Sequence, residues 1–90
     1  MYRVIGIDYG DSRIGLALSD PMQIIAKPSG IITNRSEIHV LGRLKSIIEG
    51  NKVKKIIVGM PLGMRGNDTE QTKKVRNFIT LLEQNFDIEI

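Results

Sequence analysis

Cysteine is absent from this 90-residue chain, which excludes disulfides and thiolate metal sites and makes a reducing, cytoplasmic location the expectation. There is one histidine, His39, so a histidine-rich metal centre is excluded as well; it falls in a helical pattern and reads as a partly exposed helix residue. Any metal must then be held by oxygen, which favours Mg2+ or Mn2+. Tryptophan is missing and aromatics amount to 4%, too few for a domain that holds single strands mainly by stacking bases on rings. No stretch approaches the roughly 18 to 20 apolar residues of a membrane span, so no membrane partner is expected. Met1-Tyr2-Arg3 leads directly into a strand pattern, and no signal peptide is expected.

What is present is ordinary for a small globular domain: 41% hydrophobic and 26% charged residues. Residues 1–90 read as a single domain. The net charge of +3 permits a polyanionic partner without demanding one.

The informative segment is Gly6-Ile7-Asp8-Tyr9-Gly10, followed by Asp11-Ser12-Arg13-Ile14-Gly15. It places a carboxylate in an apolar strand and then turns the chain back, with Gly10 giving the turn its freedom. An Asp among Val4, Ile5 and Ile7 is expected to lose hydration, and therefore to be paired, hydrogen-bonded or bound to a cation. Two other readings stand beside this one. Asp8 could bond the backbone amides of its own turn. The hairpin could also be the phosphate cradle of an actin-like ATPase or sugar-kinase domain.

Along the chain, Tyr2 to Tyr9 reads as a strand buried on both faces and central in a sheet, with Arg13 to Ser19 as its hairpin partner. Ile24 to Thr33 is a third strand, which Pro28 places at an edge. Asn34 with Glu37 offers a helix start, and Ile38, Leu41, Leu44, Ile47 and Ile48 form its apolar stripe until Gly50. Lys54 to Gly59 is a strand returning parallel to the first, and Met60 to Gly66 is the loop at its carboxyl end. Asp68 and Gln71 begin a second helix with a stripe of Val75, Phe78, Ile79 and Leu82, and Phe86 to Ile90 resumes strand character. Three antiparallel strands, helix, parallel strand, helix and partial strand make an α/β, ribonuclease H-like layout with a mixed sheet. It looks incomplete at its C-terminus, and an uncovered sheet face would favour self-association into a homo-oligomer.

The blocks GIDYGDSRIGLALSD, IIVGMPLGMRGND and NFDIEI together resemble the YqgF/RuvX family, whose members are described as Holliday junction resolvases and as pre-16S rRNA nucleases. The resemblance runs over the whole chain, and Arg13-Ile14-Gly15 directly after the turn is unlike the ATPase hairpins. It implies a ribonuclease H-like fold, divalent-metal phosphodiester cleavage and a nucleic-acid partner, either structured RNA or branched DNA. Asp8 matches the family's catalytic, metal-binding aspartate of the first strand. The family's other acidic positions lie in an Asp-Glu-Arg motif after the fifth strand and near an Ala-Ala pair in a C-terminal helix. Neither motif is in this sequence, and Gly63 stands where members commonly carry Asn.

For nucleic-acid binding the candidates are Arg13, Arg65, Lys73 and Lys74, with Arg76 beside them. Arg13 could aim its guanidinium at a phosphate or clamp the hairpin through Asp20. Lys73 and Lys74 could equally form a solvated helix face. Glu89 reads as an exposed strand residue rather than as the missing ligand. Three functions remain open at this level: a metal-dependent nuclease, a non-enzymatic remnant or fragment with a basic surface, and an actin-like phosphate-binding domain.

Overall fold

The structure, a computed structural model, describes residues 2–20, 26–59 and 70–90. Its elements run β1 (Arg3–Tyr9), β2 (Arg13–Ser19), β3 (Ala26–Thr33), α1 (Glu37–Gly50), β4 (Val53–Val58) and α2 (Glu70–Asn85). They form one sheet in the order β3-β2-β1-β4. The β1–β2 and β2–β3 pairs are antiparallel, whereas β1 and β4 are parallel, as a crossover through α1 requires. This is the ribonuclease H-like layout expected from the sequence, with the first strand between the second and the fourth.

Pro28 lies in the edge strand, where a missing backbone donor costs least. Leu16 pairs with Gly30 and Ala17 with Pro28, so Ser29 is the extra residue of a β-bulge. Gly30 accommodates it with φ 140°, a value side chains disfavour. At the far edge, the Ile56 amide donates to the Glu89 carbonyl at 2.8 Å and Lys55 bridges Glu89 in parallel. The final residues thus begin to extend the sheet beyond β4, in line with their strand character.

Both helices cover the same face of the sheet. Ile5 and Ile7 of β1, Ile14 and Leu16 of β2, Ile32 of β3 and Val53 and Ile56 of β4 form one cluster with Val40, Leu44, Ile48, Phe78 and Leu82 from the helices. On the other face Val4, Gly6, Gly15 and Ala17 are only partly buried, and Ile31 and Ile57 are exposed. β1 is therefore central but, among the described residues, covered on one face. The apolar run of β1 hides a period of two, because Val4 and Gly6 fill its outer positions where polar residues would have revealed it.

The α1 stripe also differs from expectation. Val40, Leu44 and Ile48 are its buried line, and Ile38 is 86% exposed. Two residues rotate a helix by about 200°, so a helix that buries Val40 must turn Ile38 outward. The N-cap is Ser36, whose Oγ accepts from the His39 amide at 3.1 Å, and Asn34 is left outside the helix. His39 is half-buried in the first turn, as expected. The helix runs through Gly50, and the Asn51 side chain ends it by donating to the Ile47 carbonyl at 2.8 Å. In α2 the buried line is Thr72, Val75, Phe78 and Leu82, with Ile79 half-buried.

Lys52, just past the Asn51 cap, has φ 54°. Left-handed backbone at this position favours glycine, which carries no Cβ to crowd the preceding turn. Lys52→Gly is expected to stabilise the chain by about 0.5–1 kcal/mol, the relief of strain exceeding the added freedom of the unfolded chain. Urea unfolding midpoints of the two proteins test this.

Candidate functional site

Asp8 occupies the outer face of β1 near its carboxyl end. Ile5 and Ile7 point into the core, so the alternation that buries them turns Asp8 to solvent, and it is exposed. This corrects the expectation of a dehydrated carboxylate: Asp8 needs no partner to be tolerated. Opposite it in register stands Gly15, where a Cβ would come within 3.8 Å of the Asp8 Cβ. The glycine leaves free space on that flank of the carboxylate.

Arg13, two residues before Gly15 on β2, shares this face and is also exposed. Asp8 and Arg13 are diagonal cross-strand neighbours, a relation that sets Cα atoms roughly 7–8 Å apart. Among the described residues neither takes part in an ion pair, so a carboxylate and a guanidinium stand side by side with their polar ends free. A clamp between Arg13 and Asp20 does not form. Arg13 begins β2 and Asp20 directly follows its last residue, Ser19, about 20 Å away at strand rise and well beyond the reach of an arginine.

The turn joining β1 to β2 is fastened from the helix side. Asn34 donates from Nδ2 to the Gly10 carbonyl at 2.9 Å, and its backbone amide donates to the Ser12 carbonyl at 2.9 Å. Gln71 of α2 donates from Nε2 to the Tyr9 carbonyl at 3.2 Å. Lys74 pairs with Asp11 at 3.0 Å, and the Tyr9 ring packs on Phe78 with centroids 4.6 Å apart. Within the turn, a Cβ on Gly10 would lie 2.5 Å from the Arg13 carbonyl oxygen, so only glycine fits there without a backbone shift.

These contacts place the remaining candidates. Lys74 sits at the same end of the molecule as Asp8, with its charge engaged by Asp11 across an exposed pair. Lys73 pairs with Glu70 at 3.8 Å on the exposed face of α2. Arg65 and Gly63, with the rest of residues 60–69 and the loop expected there, lie outside the described residues. Glu89 pairs with Lys55 at 3.8 Å on an exposed surface, in keeping with a strand residue. Sequence reasoning missed Asn34 and Gln71 as fasteners of the turn. The one available signal was the presence of two cap candidates, Asn34 and Ser36, of which a single helix start can use only one.

The donor chemistry of Asp8 fits a hydrated Mg2+ or Mn2+, which keeps most of its waters and takes one or two carboxylates. It does not fit a pair of ions, since no group of three or more His, Cys, Asp or Glu able to hold a metal exists among the described residues. No described helix is long and apolar enough to cross a membrane.

Comparison with known proteins adds an independent finding. A family profile described as RuvX, Holliday junction resolvase, matches residues 2–90. The chain is 47% identical over 90 residues to a protein of Acetivibrio thermocellus named "Putative pre-16S rRNA nuclease", covering 98% of this chain and 64% of that protein. It is 42% identical over 88 residues to a protein of the same name from Maridesulfovibrio salexigens, covering 98% of this chain and 65% of that one. A third, from Dictyoglomus thermophilum, is 41% identical over 81 residues, covering 90% of this chain and 58% of its own length. The chain thus spans about three-fifths of the length of these relatives.

Two stability outcomes follow from the geometry. Asp8→Asn should leave the unfolding free energy within about 0.5 kcal/mol, since the side chain is exposed and forms no ion pair among the described residues. Gly10→Ala should cost about 1–3 kcal/mol, because the new methyl must displace the Arg13 carbonyl. Chemical denaturation of both variants beside the parent measures each.

Proposed function

The chain belongs to the family described as RuvX, Holliday junction resolvase, and on that footing we propose that it carries the Asp8 half of a divalent-metal-dependent nuclease for structured nucleic acid. The observation that supports this reading is the exposed Asp8 carboxylate at the carboxyl end of the central strand, diagonal to Arg13. Open sheets of this kind place their sites at the carboxyl ends of strands.

In this reading Asp8 holds Mg2+ or Mn2+ through a carboxylate oxygen, and a bound ion supplies activation of water and relief of phosphate charge. Arg13 presents its guanidinium fork to a phosphate on the same face, orienting the backbone of the nucleic acid against Asp8. Gly15 keeps the surface between them low, so that the phosphate can approach without meeting a side chain. Lys73 and Lys74, together with Arg65, contribute attraction to the backbone without reading its sequence. The family assignment favours a nuclease over an actin-like ATPase, and among the described residues no further His, Cys, Asp or Glu joins Asp8 in a group of three able to hold a metal.

The test compares a four-way DNA junction with precursor 16S rRNA across a Mn2+ and Mg2+ titration. The 90-residue chain should cleave neither appreciably, because a two-ion mechanism needs more carboxylates than Asp8 supplies. A protein extended to the length of its relatives should cleave one of them, and Asp8→Asn in that protein should lower the rate by orders of magnitude while leaving its thermal unfolding in place. Full activity of the extended Asp8→Asn protein removes Asp8 from the site. Thermal stabilisation by ATP, with no cleavage of either nucleic acid, would establish the phosphate-cradle alternative instead.

A further inference from the structure

A two-stranded turn at the end of a sheet is ordinarily its loosest part, since its backbone groups face water. The Gly10–Ser12 turn is built differently. The carbonyls of Tyr9, Gly10 and Ser12 each accept a hydrogen bond from outside the hairpin, at 3.2, 2.9 and 2.9 Å. Asn34 supplies two of these bonds, one from its side chain and one from its backbone. The side chain of Asn34 is not needed to start α1, because Ser36 caps that helix. A Cβ built on Gly10 would lie 2.5 Å from the Arg13 carbonyl oxygen, so the backbones of the two residues run close together.

We infer that Asn34 is a positioning residue: by holding the Gly10 carbonyl with its side chain, beside a backbone bond to Ser12 that survives substitution, it fixes Arg13 relative to Asp8, so that one phosphate of the nucleic acid engages both at once. Gln71 supports the same turn from α2. The inference rests on the reading of Asp8 as an ion ligand and Arg13 as a phosphate contact, and adds the group that sets their spacing. Asp8 itself does not depend on Asn34, because β1 is paired on both sides by β2 and β4. Arg13 pairs with Thr33 of β3 but lies one residue beyond the last β1–β2 pair, Tyr9–Ile14, so its place relative to β1 is set through the turn.

Coupling between ion and nucleic acid is the quantity that tests this. The affinity of a labelled RNA hairpin for the 90-residue chain is measured with and without Mn2+, and Mn2+ affinity is measured separately by electron paramagnetic resonance. In the parent chain Mn2+ should strengthen RNA binding on the order of tenfold. Asp8→Asn should abolish both the Mn2+ site and this gain, which also corrects for ions bound by the RNA itself. Asn34→Ala should keep the Mn2+ affinity and the metal-free RNA affinity, yet reduce the gain to less than about twofold. Gln71→Ala should reduce it in part, and carries the test should Asn34→Ala fail to fold. Arg13→Ala should lower the gain as Asn34→Ala does, with the double variant no worse than either single one.

A gain that persists in Asn34→Ala and Gln71→Ala while Asp8→Asn removes it overturns the positioning role and leaves the Asp8 reading intact. Uniform weakening of all binding with an unchanged gain shows a purely structural role, which also overturns it. An Mn2+ affinity untouched by Asp8→Asn removes the underlying reading and the inference together.

Discussion

The period-two alternation of β1 is the constraint on which the rest of the molecule depends. Ile5 and Ile7 are nearly devoid of solvent contact at 0% and 3% exposure, while Asp8 is exposed one residue further on. Because β1 is paired on both sides, its register is shared with β2 through Asp8–Gly15 and with β4 through Ile7–Val58. A slip of one residue would drive Asp8 under the helices and turn Ile5 and Ile7 to water, losing about 1.5–3 kcal/mol for each buried aliphatic side chain and adding a desolvated charge. The core therefore aims the carboxylate, and no contact made by Asp8 itself is required to do so.

Much of the architecture could be read along the chain because its cues are local. Pro28 marked the edge strand, the apolar run after α1 marked a parallel return, and Gly10 marked the turn. The errors share a different origin. Whether the second face of β1 is covered depends on elements remote in sequence, and with Val4 and Gly6 at its outer positions the strand gave no sign of its open side. Ile38 was similarly ambiguous: its spacing to Leu41 is helical, but the line that faces the sheet is Val40, Leu44 and Ile48, and only packing selects between them.

Of the candidate site, Asp8 and Arg13 could be singled out along the chain, whereas their relation could not. It follows from the register Asp8–Gly15, which sequence separation alone does not state. The length of one strand rules out Asp20 as the partner of Arg13. Lys74 illustrates the opposite limit: a lysine on an exposed helix face resembles any other, yet its Nζ lies 3.0 Å from Asp11 and ties α2 to the turn. Such an exposed pair contributes about 0–1 kcal/mol, too little to leave a mark on composition or pattern.

The core and the candidate site thereby lie on opposite faces of one sheet. The buried aliphatic residues and both helices lie on one side, and Asp8, Gly15 and Arg13 on the other, so variation at the open face can proceed without altering the core. The two sides meet at the turn, where Asn34, Gln71 and Lys74 reach from the helix side to groups at Tyr9 through Ser12. Their bonds go mostly to backbone carbonyls, which every residue type supplies. The turn can thus be held in place by α2 and by Asn34, between β3 and α1, whatever side chains it presents to the open face, while Gly10, which alone fits against the Arg13 carbonyl, restricts the path of the chain between the two strands.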